Sequence, residues 1–328
     1  MTDFFINIFD HFTDPRKRIF LGYLLIAIII AFFWLITFRG FSARQSLKYI
    51  FNRKILLSRS SGADLKLFFF NRVFVMFISP MLVTQLAIAT VIFHFLHTIS
   101  WLSNGMYENF SKLIVIILFT SFLFLVDDFT KFIVHRWMHK WPLLWSLHKV
   151  HHSATSLTPL TIYRTHPLEG IVFALRGSFS QGLSISTFVF LFGDQVDLYT
   201  VLGVNVFIFI FNVAGSNLRH SHIGIQYWKW LEYLLISPAQ HQLHHSVALE
   251  HHDKNFGATL AVWDWVFRSL HHSEATENLT LGIYEIEEKT THSFYHLFVY
   301  PFFEIGSIII NKLRRIILIV SKSHRNSP

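Results

Sequence analysis

The stretch LIVIILFTSFLFLVDDFTKFIVHRWMHKWPLLWSLHKVHH, residues 113–152, decides how this chain folds. Its first part, Leu113 to Val126, is apolar without interruption. Asp127 and Asp128 follow, and then a basic stretch that carries five histidines. No Gly separates the parts, and the first Pro comes only at Pro142, so the spacing predicts one helix that leaves an apolar medium and continues into a polar one. On such a helix His135 and His139 share a face, because positions i and i+4 are neighbours.

Working outward, other apolar runs appear. Ile19 to Phe38 is 20 residues without a charge, enough for a membrane helix. Val73 to Leu96 is a second run, with a kink expected at Pro80. Gly177 to Gly193 and Leu198 to Leu218 are separated by Asp194, Gln195, Val196 and Asp197, which predicts a membrane hairpin with an acidic tip. Phe298 to Val320 is interrupted by Glu304, Lys312, Arg314 and Arg315, which predicts an interfacial or partly buried helix and not a clean span. The N-terminus lacks a basic segment followed by a short apolar core, so no cleaved signal peptide is expected.

Composition agrees with a membrane protein. The 328 residues are 52% hydrophobic and only 15% charged. The net charge of +8 implies attraction to anionic lipid rather than to nucleic acid, since no phosphate-cradling or RNA-binding signature occurs. Eight Lys or Arg residues and one acid lie between Arg39 and Arg72, while the loop Thr98 to Lys112 has one of each. The positive-inside rule then puts the first segment in the cytoplasm. The hairpin starts and ends on that side, so histidines before and after it face one way. The expected architecture is an all-α, multi-pass membrane bundle with a cytoplasmic histidine-rich helical cap. Its divisions are 1–127 (membrane helices and a basic loop), 128–272 (the histidine-rich part, including the hairpin) and 273–328 (tail).

The chain has 21 histidines and no cysteine, which excludes disulfides, iron–sulfur clusters and thiolate zinc sites. Three groups stand out: His135 with His139; His148, His151 and His152; and His241, His244 and His245. Each trio has the spacing i, i+3, i+4 and is expected to project together. Eight imidazoles exceed what one four-coordinate ion takes and suit two ions. Imidazole serves iron, zinc, copper and nickel alike.

These motifs resemble the fatty acid hydroxylase / sterol desaturase superfamily over roughly Asp128 to Phe267. Beyond the three histidine groups, the resemblance rests on Trp145–Ser153, on Arg164-Thr-His-Pro-Leu-Glu169 and on Ser237–Ser246. Asp253-Lys-Asn-Phe-Gly257 and Trp263-Asp264 extend it. Phe132 stands where that family commonly has Tyr, and Arg268-Ser269 follow Phe267 where Gly-Thr is common, so the subfamily stays open. The resemblance implies two iron ions, O2 as co-substrate, and removal of a hydrogen atom from an unactivated carbon of a lipid. It implies His220 as a ninth ligand in preference to His222. With no flavin, nicotinamide or cysteine motif here, it also implies a separate electron donor: a ferredoxin, a cytochrome b5-like protein or a reductase.

Other residues keep two readings. His166 is a ligand, a hydrogen-bond partner of one, or the residue that fixes the turn before Pro167. Asp128 orients a ligand imidazole or marks the lipid–water boundary. His251 and His252 are partners of the site or merely polar, and Asn255 and Asp264 stabilise the cap. His94, His97, His271, His272, His292 and His296 are not assigned to metal. A zinc hydrolase would need HExxH, and His135-Arg-Trp-Met-His139 lacks the Glu. A metal transporter would need ionisable residues in mid-membrane, and the apolar runs are nearly free of them. The lipid itself, and hydroxylation against desaturation, stay open.

Overall fold

The computed structural model describes residues 2–78, 85–273, 279–283 and 291–325. Its helices, in chain order, are α1 Thr2–Thr13, α2 Leu21–Arg39, α3 Ala43–Ile50, α4 Arg53–Leu56, α5 Arg59–Ile78, α6 Gln85–His97 and α7 Lys112–Lys140. They continue with α8 Pro142–His152, α9 Pro167–Phe192, α10 Val206–Val213, α11 Pro238–His244, α12 Val262–Val266 and α13 Tyr300–Arg325.

The predicted continuous helix is α7, 29 residues without a break. It and α2 are the two helices long and apolar enough to cross a membrane among the described residues. α9 packs along α7. Phe188 of α9 meets Phe119 and Phe122 of α7 at ring distances of 5.2 and 5.3 Å. Arg176 of α9 pairs with Asp127 of α7 at 2.8 Å. α6 lies so close to α9 that a β-carbon on Gly182 would stand 3.1 Å from the Ala89 nitrogen. The 98–111 loop caps the far end of α9: Gly105 N–H donates to Phe190 O and Tyr107 N–H to Leu191 O, both at 2.8 Å.

Two expected runs take a different form. Val73 to Leu96 is divided between α5 and α6, and its predicted kink at Pro80 lies outside the described residues. α5 begins at Arg59, so helix also occupies part of the basic segment expected as a loop. The second limb of the predicted hairpin, Leu198 to Leu218, is not one helix. It is a two-stranded turn (β1 Thr200–Val201 against β2 Val204–Asn205), the eight-residue α10, and a tight turn at Ser216–His220. Polar residues inside the run impose this. Asn205 caps α10 through Phe207 N and also donates to the Thr120 carbonyl of α7. Gly215, at φ +89°, then turns the chain in a conformation that side chains disfavour.

The segment after α10 carries short helices and loops, and the C-terminal segment backs α8. Leu297 and Phe298 are buried with Val150, Ala63 and Leu67. Lys149 of α8 pairs with Glu304 of α13. Beyond Glu304, α13 exposes Ile309, Ile310, Leu313, Ile316 and Ile317 beside Lys312, Arg314 and Arg315, consistent with the amphipathic character expected there.

Candidate metal centre

α7, α8 and α11 converge at the polar end of α7. α8 starts on Pro142, which suits a first helical position. α11 starts on Pro238 behind a capping box in which Ser237 and Gln240 bond each other's backbone. His220 enters from the turn after α10.

The histidines form two groups, within each of which the ligand atoms lie within 4.8 Å of one another. One holds His135, His139, His148, His152 and His244. The other holds His151, His220, His241 and His245. Each trio is therefore split, where the spacing alone suggested that it would act together. Residues one apart on a helix point about 100° apart, so His151 and His152 serve different groups. In α8 the i,i+4 pair, His148 and His152, joins the first group, and His241 of α11 joins the second with His245, the residue that caps that helix.

The tautomers are set from behind. His135 Nδ1–H donates to the Phe256 carbonyl and His244 Nδ1–H to the Lys254 carbonyl, each at 2.7 Å. A carbonyl only accepts, so both rings present a bare Nε2 lone pair. Those two Nε2 atoms stand 3.0 Å apart. Two lone pairs facing at that distance repel unless a cation lies between them. With metal–nitrogen bonds of about 2.1 Å, two ligands at about 90° stand roughly 3.0 Å apart, which is the separation found. In the second group His220 Nε2 lies 3.2 Å from His151 Nε2 and 3.0 Å from His241 Nε2. The buried Nε2 atoms of His139, His148, His152 and His245 have no hydrogen-bond partner among the described residues. This donor set fits two metal ions.

Burial, followed by neighbouring imidazoles, holds His148, His152, His220, His241, His244 and His245 well below the usual imidazole range. Burial lowers His151 to about 3. Neutral imidazole is the form that binds metal.

A carboxylate and three backbone carbonyls hold these rings from behind, and Asn255 and Asp264, expected to stabilise the cap, fasten the loop that carries two of them. Glu169, buried in the first turn of α9, accepts from His148 Nδ1 at 2.7 Å. The Arg164 carbonyl faces His151 Nδ1 at 3.3 Å. Asp253 and Asn255 both adopt positive φ, 60° and 56°. That alternation presents the carbonyls of Lys254 and Phe256 to His244 and His135 of the first group. Asp264 accepts from Phe256 N, Gly257 N and Ser269 Oγ and so fastens this loop. Asn255 links it to Gln240 O and His271 N.

The second-rank residues lie outside both groups. His166 caps α9 through Leu168 N, and its Nε2–H faces the Phe298 carbonyl at 3.3 Å. This is the turn-fixing role before Pro167. His222 Nε2–H donates to Tyr49 O. Asp128 accepts from Thr259 N, Leu260 N and Trp263 Nε1 and anchors the next turn, with no imidazole bonded to it among the described residues. His251 packs against His271.

The profile of a family described as fatty acid hydroxylase matches residues 120–269. A beta-carotene hydroxylase from Paracoccus sp. is 30% identical over 136 residues, covering 40% of this chain and 76% of that relative. The chain belongs to the fatty acid hydroxylase / sterol desaturase superfamily. Both histidine groups of this superfamily member fall inside the matched residues. It is also similar to an ornithine lipid hydroxylase from Rhizobium tropici, 24% identical over 48% of this chain and 43% of the relative. A Delta(7)-sterol 5(6)-desaturase from Gibberella zeae is 30% identical over 49% of this chain and 38% of the relative. The superfamily chain thus spans less than half the length of these last two. No solved structure matches it.

Proposed function

We propose that this chain is a multi-pass membrane oxidoreductase that hydroxylates or desaturates a lipid, holding two iron ions and using O2 as co-substrate. The observation that carries the reading is the split of nine histidines, seven of them buried and His135 and His139 half-buried, into groups of five and four, with His135 and His244 turning bare Nε2 atoms toward each other at 3.0 Å. Hydroxylases and desaturases of lipids among the relatives support it. Iron bound there would supply oxidation of an unactivated C–H bond.

The chain's own residues do the rest. His135, His139, His148, His152 and His244 would hold one ion, and His151, His220, His241 and His245 the other. Glu169 and the carbonyls of Lys254, Phe256 and Arg164 fix the rings. Phe256, fully buried against His135, His139 and His244, keeps water from that side. Electrons come from a separate ferredoxin, cytochrome b5-like protein or reductase. Residues 128–272 form the catalytic part, between the membrane helices of 1–127 and the tail 273–328, with the metals on the cytoplasmic side.

Metal analysis of the purified chain should give about two irons. Mass spectrometry of lipids from cells with and without the gene should show one gained oxygen or two lost hydrogens. His151→Ala should abolish that change and lower iron. His296→Ala, whose ring meets Ser293 and nearby tyrosines and lies outside both histidine groups, should do neither. Full activity in His151→Ala would sink the assignment.

A further inference from the structure

Arg164 is fully buried, and the N–H groups of its guanidinium all find acceptors. Nε–H donates to the Val150 carbonyl at 3.0 Å. Nη2–H donates to Ser153 Oγ at 2.8 Å and toward the Ser153 carbonyl at 3.2 Å. These acceptors close the end of α8, on either side of His151 and His152. The backbone carbonyl of the same arginine faces His151 Nδ1 at 3.3 Å. One residue thus holds His151 twice, through the helix end that carries it and through its ring.

The direction of Arg164 is set in turn from a distant element. Asp64, in the second turn of α5, is fully buried and accepts from Arg164 Nη1 at 3.0 Å. Its other oxygen accepts from Thr161 Oγ1 at 2.6 Å and from Thr158 Oγ1 at 3.4 Å. Asp64 therefore grips both the start and the end of the 158–164 segment, whose last carbonyl meets His151. The Ser60 carbonyl and His292 Nδ1 take the remaining N–H groups. All of these partners are buried, so water does not compete for the guanidinium and each bond is strengthened.

We propose that Asp64 is a positioning residue for the second histidine group. It fixes Arg164, Arg164 fixes the ring of His151, and His151 is thereby aimed at the ion which that group holds. The first group has a counterpart: Asp264 fastens the loop whose carbonyls meet His135 and His244. Asp264 lies inside the residues that the family profile matches, 120–269, whereas Asp64 lies outside them. Part of α5 thus belongs to the metal centre. As a statement about an ion this rests on the two-metal reading, and as a statement about the His151 ring it does not.

The test titrates the metal-free full chain, in detergent, with cobalt(II) against a competing chelator. The wild type should bind about two ions, and His151→Ala marks the phase of the second group by weakening it. Asp64→Asn should weaken that same phase about tenfold or more and leave the other within about twofold. Arg164→Lys keeps a charge opposite Asp64 but not the planar fork, and should do the same. Its backbone carbonyl is unchanged, so its loss reports orientation, and it carries the comparison where Asp64→Asn does not fold. Because Asp64 acts through His151, Asp64→Asn combined with His151→Ala should bind no more weakly than His151→Ala alone. Losses that add, or equal weakening of both phases, would mean a general loosening and overturn the proposal. Undiminished binding in the folded variants would overturn it too. Nitrogen NMR of isotope-labelled histidine in the metal-free chains reads the ring without metal. The His151 signals, assigned by their loss in His151→Ala, should show the proton on Nδ1 in the wild type and shared between the two nitrogens in Asp64→Asn. If the wild type binds no metal and this contrast is present, the metal reading fails and the positioning stands. If the wild type binds both ions and Asp64→Asn alters neither phase, the positioning fails and the metal reading stands.

Discussion

A β-carbon placed on Gly257 would lie 2.5 Å from the Leu260 carbonyl oxygen and 2.9 Å from an oxygen of Asp264. Both neighbours are tied: Asp264 to Phe256 N and Gly257 N, and Leu260 N to Asp128. Gly257→Ala must therefore displace the loop that aims His135 and His244. We expect lower iron retention and a melting temperature several degrees down. Gly170→Ala, where no atom lies within 4 Å of the added carbon, should change neither. Iron assay and thermal melts of the two variants check this. A second residue-scale prediction concerns acid. His292 accepts from Arg164 Nη2 at 2.9 Å. Burial, then the charges of Arg164 and Arg59, lower it from 6.5 to about 4. The unfolded chain takes up this proton below about pH 6.5 and the folded chain only near 4. Stability from this group is thus complete above 6.5 and is lost as pH falls toward 4. His292→Gln should show a smaller drop in melting temperature between pH 7 and pH 5 than the wild type. An equal drop would refute the assignment. At this scale the histidines that gather were legible, because imidazoles at helical spacing leave a side-chain signature. The carbonyls of Lys254 and Phe256 were not, since every residue has one. Only the turn-forming Asp253, Asn255 and Gly257 hinted at them.

At the scale of elements, α7 was legible because its apolar and histidine-bearing halves share one uninterrupted helical stretch. The return from α9 was not. Hydropathy averages over Leu198 to Leu218, whereas Asn205 and Gly215 act singly, each able to end a helix. Nor did the sequence reveal that α8 leans on the distant C-terminal segment. There Phe298 packs with Val150, Ala63 and Leu67, and its ring lies 4.1 Å from that of Phe70. Its carbonyl faces His166, so a side-chain truncation leaves that bond intact. Phe298→Ala should cost roughly 3–5 kcal/mol. It should also loosen α8 and with it His148, His151 and His152, three of the histidines proposed to hold metal. Hydrogen exchange should rise in 142–152 ahead of the 113–126 part of α7. Uniform exchange in both would mean that the C-terminal segment does not support α8.

For the whole molecule, the decisive quantity is the distance between the two ends of α7. His135 lies 23 residues beyond Lys112, or roughly 35 Å along a helix at about 1.5 Å per residue. An apolar bilayer core is about 30 Å thick. The 98–111 loop, bonded to the far end of α9, and the histidine groups therefore belong on opposite faces if α7 spans. By the positive-inside rule the basic residues between Arg39 and Arg72 would then put the histidine face in the cytoplasm, the side proposed above. The chain has no cysteine, so a single introduced thiol reports one position. Ser103→Cys, in the exposed loop, should react with an impermeant maleimide in intact cells. Lys229→Cys, exposed beside the histidine end, should react only after the membrane is opened. Labelling of both in intact cells would deny that α7 crosses. Labelling of Lys229→Cys alone would keep the crossing and invert its direction, placing the metals where no cytoplasmic electron donor can reach them.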